Sequence, residues 1–265
     1  MRVLKFSSLQ IREILVHRLG RSAIQNLEKF ISRYSLVANT PFLDPEQFGW
    51  QPVLEENWQA IAQELETLLE YAEELPRFQD ISPDQAKNIS QDNLWKTFFL
   101  YGYGVKLEQN CNFCPQTTRI IEQIPGLKTA FFSIMLPGKH IPEHRGPYKG
   151  VLRCHLPVKV PQDYHQCGIR VDREIHHWQA GKIIVFDDSY PHEAWNKTEE
   201  IRVVLFLDIM RPMSFPASIL NQLIVGAIRW SPFIRDAKKN QEQWNRQFAH
   251  ILKRSPDSKT AIEQT

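Results

Sequence analysis

Between residues 96 and 209 the chain breaks into short runs of β-branched and aromatic residues, at 96–103, 128–136, 149–158, 167–173, 181–186 and 201–209, interrupted by glycine and proline. Strands so short and so closely spaced cannot build a parallel α/β sheet, which needs a helix between successive strands. They point instead to a β-sandwich or jelly roll.

Helical periodicity flanks this block. Ile11, Ile14, Leu15, Leu19, Ala23, Leu27, Phe30, Ile31 and Tyr34 recur at helical spacing. Leu54, Trp58, Ile61, Leu65, Leu68, Ala72 and Leu75 make a second stripe that Pro76 ends, and a short helix is expected at 117–123. Beyond Pro212, Ile219, Leu220, Leu223, Ile224, Ala227 and Ile228 form a third stripe, halted near Pro232. A stripe of this kind is expected to pack on the β-core. The organisation that follows is a helical region at 1–94, a jelly-roll core at 95–212 and C-terminal amphipathic helices with a frayed tail at 213–265.

Composition narrows the functional classes. The chain has 265 residues, 42% of them apolar, and a net charge of +2, too small for a dedicated nucleic-acid binder. That balance is a sum of opposed blocks. Basic residues crowd 1–33 and 228–254, whereas 44–84 carries eleven acids and one base, Arg77. The acidic helix face reads as solvated. The cationic ends, with Trp230 and Phe233, keep contact with an anionic membrane surface in play. No apolar stretch is long enough to span a bilayer and no secretion signal is visible, so the expected location is cytoplasmic, with peripheral membrane contact as the variant. Cys111 and Cys114 lack a second pair at zinc-binding spacing and read as structural thiols.

The chemistry concentrates in 131–212. His144 lies in a turn-rich stretch between two strands, and His192 follows Asp187-Asp188-Ser189 just after a strand. Two imidazoles at the mouths of different strands can converge on one metal ion. Arg153 and His155, two apart on a strand, project from one face. Asp187 and Asp188 read as ties within their turn. Gly181 to Asn196 is similar to the second cupin motif.

The run HRGPYKGVLRCHL at 144–156, the turn FDDSYPHEAWN at 186–196 and Arg202 ten residues past His192 together resemble the aspartyl/asparaginyl β-hydroxylases. These are Fe(II)- and 2-oxoglutarate-dependent oxygenases with a cupin-like double-stranded β-helix. The resemblance therefore implies an α+β fold with that core. It implies His144 and His192 as iron ligands, Arg202 with Ser133 on the distal carboxylate of 2-oxoglutarate, and Arg153 with His155 at its metal-bound end. O2 is the other cosubstrate, and an unactivated C–H is hydroxylated with release of succinate and CO2.

Most oxygenases of this type carry Asp or Glu two residues after the first histidine, and here that position is Gly146. The absence fits the two-histidine members of the family and counts against the lipid A hydroxylases, which keep a carboxylate there. It also leaves room for a halide, so halogenation stays open beside hydroxylation. The first expectation for substrate is the β-carbon of an aspartyl, asparaginyl or related residue, free or peptidyl. The alternatives are a membrane-surface lipid acyl hydroxylase, and a cupin-like module that binds metal or carboxylate without turnover. Oligomeric state is not set by the sequence.

Overall fold

The computed structural model describes residues 26–252 apart from Asn88 and Ser231. The first part of the N-terminal helical stripe, most of the N-terminal basic block and the tail from residue 253 lie outside the described residues.

Two antiparallel sheets form the body. The larger contains β1 (Phe42–Leu43), β2 (Trp95–Gly102), β3 (Val105–Lys106), β4 (Leu127–Met135), β6 (Val151–Lys159), β9 (Ile184–Phe186) and β11 (Arg202–Met210), in the order β1-β9-β6-β11-β4-β2-β3. The smaller contains β5 (His140–His144), β7 (Cys167–Val171), β8 (Glu174–His177) and β10 (His192–Asn196), in the order β5-β10-β7-β8. From β4 onward the chain passes back and forth between the sheets, which is the winding of a double-stranded β-helix.

Alternation along β11 explains how one strand serves two interiors. Val203, Leu205, Leu207 and Ile209 face outward into an apolar cluster shared with the helices. Val204 and Phe206 face inward with Trp95, Met135, Ile184 and Phe186, and Arg202 and Asp208 share their parity.

The helices are α1 (residues 26–34), α2 (Gln51–Glu55), α3 (Trp58–Leu69), α4 (Phe78–Ile81), α5 (Pro83–Ala86), α6 (Glu108–Phe113), α7 (Pro115–Ile121), α8 (Ala217–Arg229) and α9 (Pro232–Leu252). On α3, Ile61, Leu65 and Leu68 are fully buried against the outer face of the larger sheet. Each such side chain contributes about 2 kcal/mol by leaving water. The acids of the 44–84 block are more than a solvated face. Glu64 accepts from the backbone N–H groups of Gln116 and Thr117 (2.7 and 2.8 Å) and so caps α7, and Glu55 accepts from Ile183 N at 3.0 Å.

Several expectations are corrected. The helix expected over 54–75 is broken at Glu56-Asn57 and gives way to turns after Leu69. The run at 181–186 becomes a strand only at Ile184, because Gly181 has φ +73° and lies against the Trp58 indole where a Cβ would clash. The stretches holding His144 and His192 are strands, not turns. The stripe on α8 does not face the core. Ile219, Leu220 and Leu223 are 52%, 38% and 66% exposed, whereas Asn221 points inward and donates to Gly150 O at 2.8 Å.

Candidate active site

Pairing of β5 with β10 sets His144 directly opposite His192, with ring centroids 4.1 Å apart. The tautomers are fixed by the backbone. His144 Nδ1 donates to Pro142 O at 2.9 Å and His192 Nδ1 to Tyr190 O at 3.0 Å, so each Nε2 keeps its lone pair. Burial pulls the His144 pKa down to about 4, with Arg153 adding to the effect. Burial, then His144 and Arg153, hold His192 well below its ordinary value. Both imidazoles are therefore neutral and able to ligate near neutral pH.

Across the inner face of the larger sheet, register lines up the remaining groups. Phe99, Phe131, Phe206 and His155 occupy one row on β2, β4, β11 and β6. In the next row Arg153 stands opposite Asp208 on one side and Phe186 on the other. At the far end of β11, Arg202 stands opposite Met135.

Arg153 is committed to two carboxylates, Asp188 (2.8 Å from Nη2) and Asp208 (3.1 Å from Nε). Its Nη1 lies 3.5 Å from His192 Nε2, and its guanidinium sits 4.4 Å above the Phe206 ring. Burial raises the Asp188 pKa to about 6 against the pull of Arg153. Asp188 contacts Arg153 as an ion pair, yet neither of its oxygens accepts a well-directed hydrogen bond. The same carboxylate fills the space beside Gly146 where any Cβ would collide with it. Absence of a carboxylate ligand at 146 is thus built into the packing. Among the described residues no set of three His, Cys, Asp or Glu side chains is placed to hold a metal. Asp187, by contrast, ties its turn as expected, accepting from Ser189 N (3.0 Å) and from Lys149 Nζ (2.6 Å).

Deeper between the sheets lies a set of buried donors without acceptors. Arg202 is 1% exposed, stacks 4.3 Å from Trp178, donates to Ser133 O at 3.1 Å and contacts Met135 Sδ, but among the described residues its Nε has no partner and no carboxylate pairs with it. Burial pulls its pKa down to about 10. Trp178 Nε1 and both ring nitrogens of His155 are likewise buried and unpartnered. Ser133 Oγ accepts from Trp95 Nε1 at 3.0 Å and retains its own proton to donate. Leaving this many buried polar groups unsatisfied is costly, and a small dicarboxylate has the acceptors they lack. The fit to 2-oxoglutarate rests on that donor set. Its donors fall at two ends, Arg202 with Ser133 and Trp178 at one and His155 near Arg153 at the other.

All six residues singled out from sequence thus reach the interior of one barrel. Trp178, Asp188 and Asp208 complete the cluster. Trp178 carries no spacing signal, since its place depends on where the chain crosses from β8 to β9. The four cysteines are buried and unbridged, and burial pushes the Cys114 thiol well up, against a redox or zinc role.

His144 and Arg153 open onto a cavity of about 400 Å³ lined by Trp95, Phe99, Phe131 and Phe206. The sequence model for aspartyl/asparaginyl β-hydroxylases matches residues 55–212, which hold every residue of this site. The chain belongs to the aspartyl/asparaginyl β-hydroxylase family. Its relatives include the ornithine lipid ester-linked acyl 2-hydroxylase of Rhizobium tropici, 46% identical over 231 residues (87% of this chain, 82% of that protein). Human aspartyl/asparaginyl β-hydroxylase is 30% identical over 184 residues, 66% of this chain but 23% of that longer protein. Solved structures with partial likeness include a cupin domain of a transcriptional regulator from Enterobacter cloacae (TM-score 0.32, 13% identity, 45% of this chain and 100% of that one). Membership makes this β-hydroxylase relative an enzyme of the hydroxylase class, with its imidazole pair at the junction of an aromatic cavity and a buried polar cluster.

Proposed function

We propose that the chain is an Fe(II)- and 2-oxoglutarate-dependent hydroxylase acting on an ester-linked acyl chain of a membrane lipid, at the carbon next to the carboxyl. His144 and His192 would offer Nε2 to the metal. Arg202, Ser133 and Trp178 would receive the distal carboxylate of 2-oxoglutarate, and His155 with Arg153 the end nearer the metal. Fe(II), 2-oxoglutarate and O2 supply the oxidation that turns C–H into C–OH with release of succinate and CO2. The surrounding side chains position the substrate and keep water out.

The observation that carries the lipid reading is the cavity lining. Its floor is the phenylalanine row beginning beside Arg153, whose charge is already matched by Asp188 and Asp208, so the floor itself offers an acidic side chain no unmatched cation, and Arg145 is shared with the open groove. An acyl chain suits such a floor. The cavity's rim adds a second indication. Lys29, Arg33 and Arg145 line an open groove of about 780 Å³ beside α1 and form no ion pair with any described residue. Arg145 borders both groove and cavity. α1 and α8 meet over Ile31, Met213, Ala217 and Tyr148, and α8 carries the exposed Ile219 and Leu223. No helix among the described residues is long and apolar enough to cross a membrane, and the arrangement suits docking on an anionic surface. The match to the lipid acyl 2-hydroxylase, over 231 of 265 residues, takes in α8 whichever end it leaves out.

Anaerobic addition of Fe(II) and 2-oxoglutarate should give a visible charge-transfer band, and O2 with a bacterial polar-lipid extract should give succinate and acyl chains carrying one more oxygen. A product only from Asp- or Asn-containing peptides would replace the lipid reading, and no band and no succinate would leave a non-catalytic module. Ile219→Glu with Leu223→Glu should lower sedimentation with anionic vesicles roughly tenfold or more.

A further inference from the structure

A second, smaller cavity of about 70 Å³ lies behind the first. Phe99, Tyr103 and Thr129 line both, so the two meet at these side chains. The way there is mainly aromatic, with the hydroxyls of Tyr103 and Thr129 at the shared wall. The Phe206 ring lies 4.2 Å from Phe131, and Phe131 stacks 4.4 Å from Phe99, giving a ladder of three rings from Arg153 to the shared wall. Beyond that wall the annex is bounded by Leu107 and by Ile234 and Ala237 of α9.

α9 is held firmly in place. Trp244 Nε1 donates to Glu74 O at 3.0 Å, Asn240 Nδ2 to Ile81 O at 3.2 Å, and Phe248 stacks on Trp244 at 4.7 Å while packing edge-on to Phe98. It also lies outside residues 55–212, the block matched by the family as a whole. The α9 wall of the annex therefore comes from outside that block.

We propose that the annex is the binding site for the methyl end of the acyl chain and that Ile234 and Ala237 set the longest chain accepted. The inference rests on the lipid reading above. A straight chain with its carboxyl end near His144 has an aromatic path along the phenylalanine ladder and past Phe99. Each further methylene it buries should tighten binding about fourfold. Once the chain reaches α9, an added methylene must displace packed side chains and binding should weaken. A closed annex thus gives a rise and then a sharp fall with chain length, whereas an open groove gives a plateau.

The test uses the full chain and a homologous series of straight-chain fatty acids, each one methylene longer than the last, read by displacement of a fluorescent fatty acid. Neither metal nor turnover is needed. The native protein should show a cut-off length. Ala237→Phe, which fills the annex, should move the cut-off to shorter chains, and Ile234→Ala, which enlarges it, to longer ones. Acids too short to pass Phe99 should bind all three proteins alike. A cut-off that stays put in both variants, or binding that levels off without one, would overturn the annex and leave the lipid reading standing. Failure of the native protein to bind any member would overturn both.

Discussion

His144 and His192 are register partners across the β5–β10 ladder, each with its Nδ1 held by a carbonyl two residues earlier, Pro142 within β5 and Tyr190 in the turn before β10. If this pair is the protein's whole contribution to the metal, replacing either histidine by alanine leaves a single donor. Fe(II) affinity, measured by equilibrium dialysis, should fall by more than about 100-fold, beyond the loss typical of an outer-shell change. Native-like binding by either variant would remove the assignment.

Gly146 invites restoration of a carboxylate ligand, and its surroundings forbid it. A Cβ there runs into Asp188, which Arg153 holds in place. Gly146→Asp should therefore lower thermal stability, by about 1–3 kcal/mol for an overpacked interior, without tightening metal binding. Adding Asp188→Gly should recover part of that stability. The measurement is the denaturant midpoint of the single and double variants.

Arg202 makes opposite predictions for the free and cosubstrate-bound protein. Its buried guanidinium has no carboxylate partner, so Arg202→Met should leave the thermal midpoint of the cosubstrate-free protein unchanged or higher. 2-Oxoglutarate should raise the midpoint of the native protein, and the variant should lose that rise. Its KM for 2-oxoglutarate should increase by at least about 100-fold. A large fall in stability without cosubstrate would mean that Arg202 is structural.

Asp80 offers a pH test away from the metal site. It accepts from Arg77 N (3.0 Å) and Arg77 Nε (2.9 Å) at the start of α4, the helix that brings Phe78 to the cavity. The Arg77 hydrogen bond holds its pKa below the ordinary 3.8. A depressed acid stabilises the fold above its unfolded pKa, and that contribution is lost as pH falls through the folded value. Asp80→Asn should cost roughly 0.5–1 kcal/mol at neutral pH, the low end for a cap that is partly exposed. The gap from the native protein should close below the carboxylate range, which urea titrations at two pH values would reveal.

The strands easiest to read in the sequence are those whose order is local. The runs at 96–103, 128–136, 149–158 and 201–209 correspond to β2, β4, β6 and β11 because each is apolar and bounded by turn residues. HIPEH and HEAWN lack such a signature. What holds β5 and β10 is partly a polar surface network, with Glu193 joined to His140 at 2.9 Å and to Arg170 at 2.8 Å, and partners that distant in sequence leave no periodic trace. The spacing of His144, His192 and Arg202 carried the site, whereas Trp178 became part of it only through the fold. For α8, periodicity identified an apolar face but not its direction, because a helix that meets a lipid surface and one that meets a core share the same pattern.

The imidazole pair belongs to the ladder of the smaller sheet, while the phenylalanine floor comes from the larger sheet and the annex wall from α9. The parts that fix reactivity and the parts that fix selectivity are thus mechanically separate. Exchange of one terminal helix between relatives can retune what is bound while the spacing of the two rings stays as the ladder sets it. Substrate range in such a barrel can diverge one appended helix at a time.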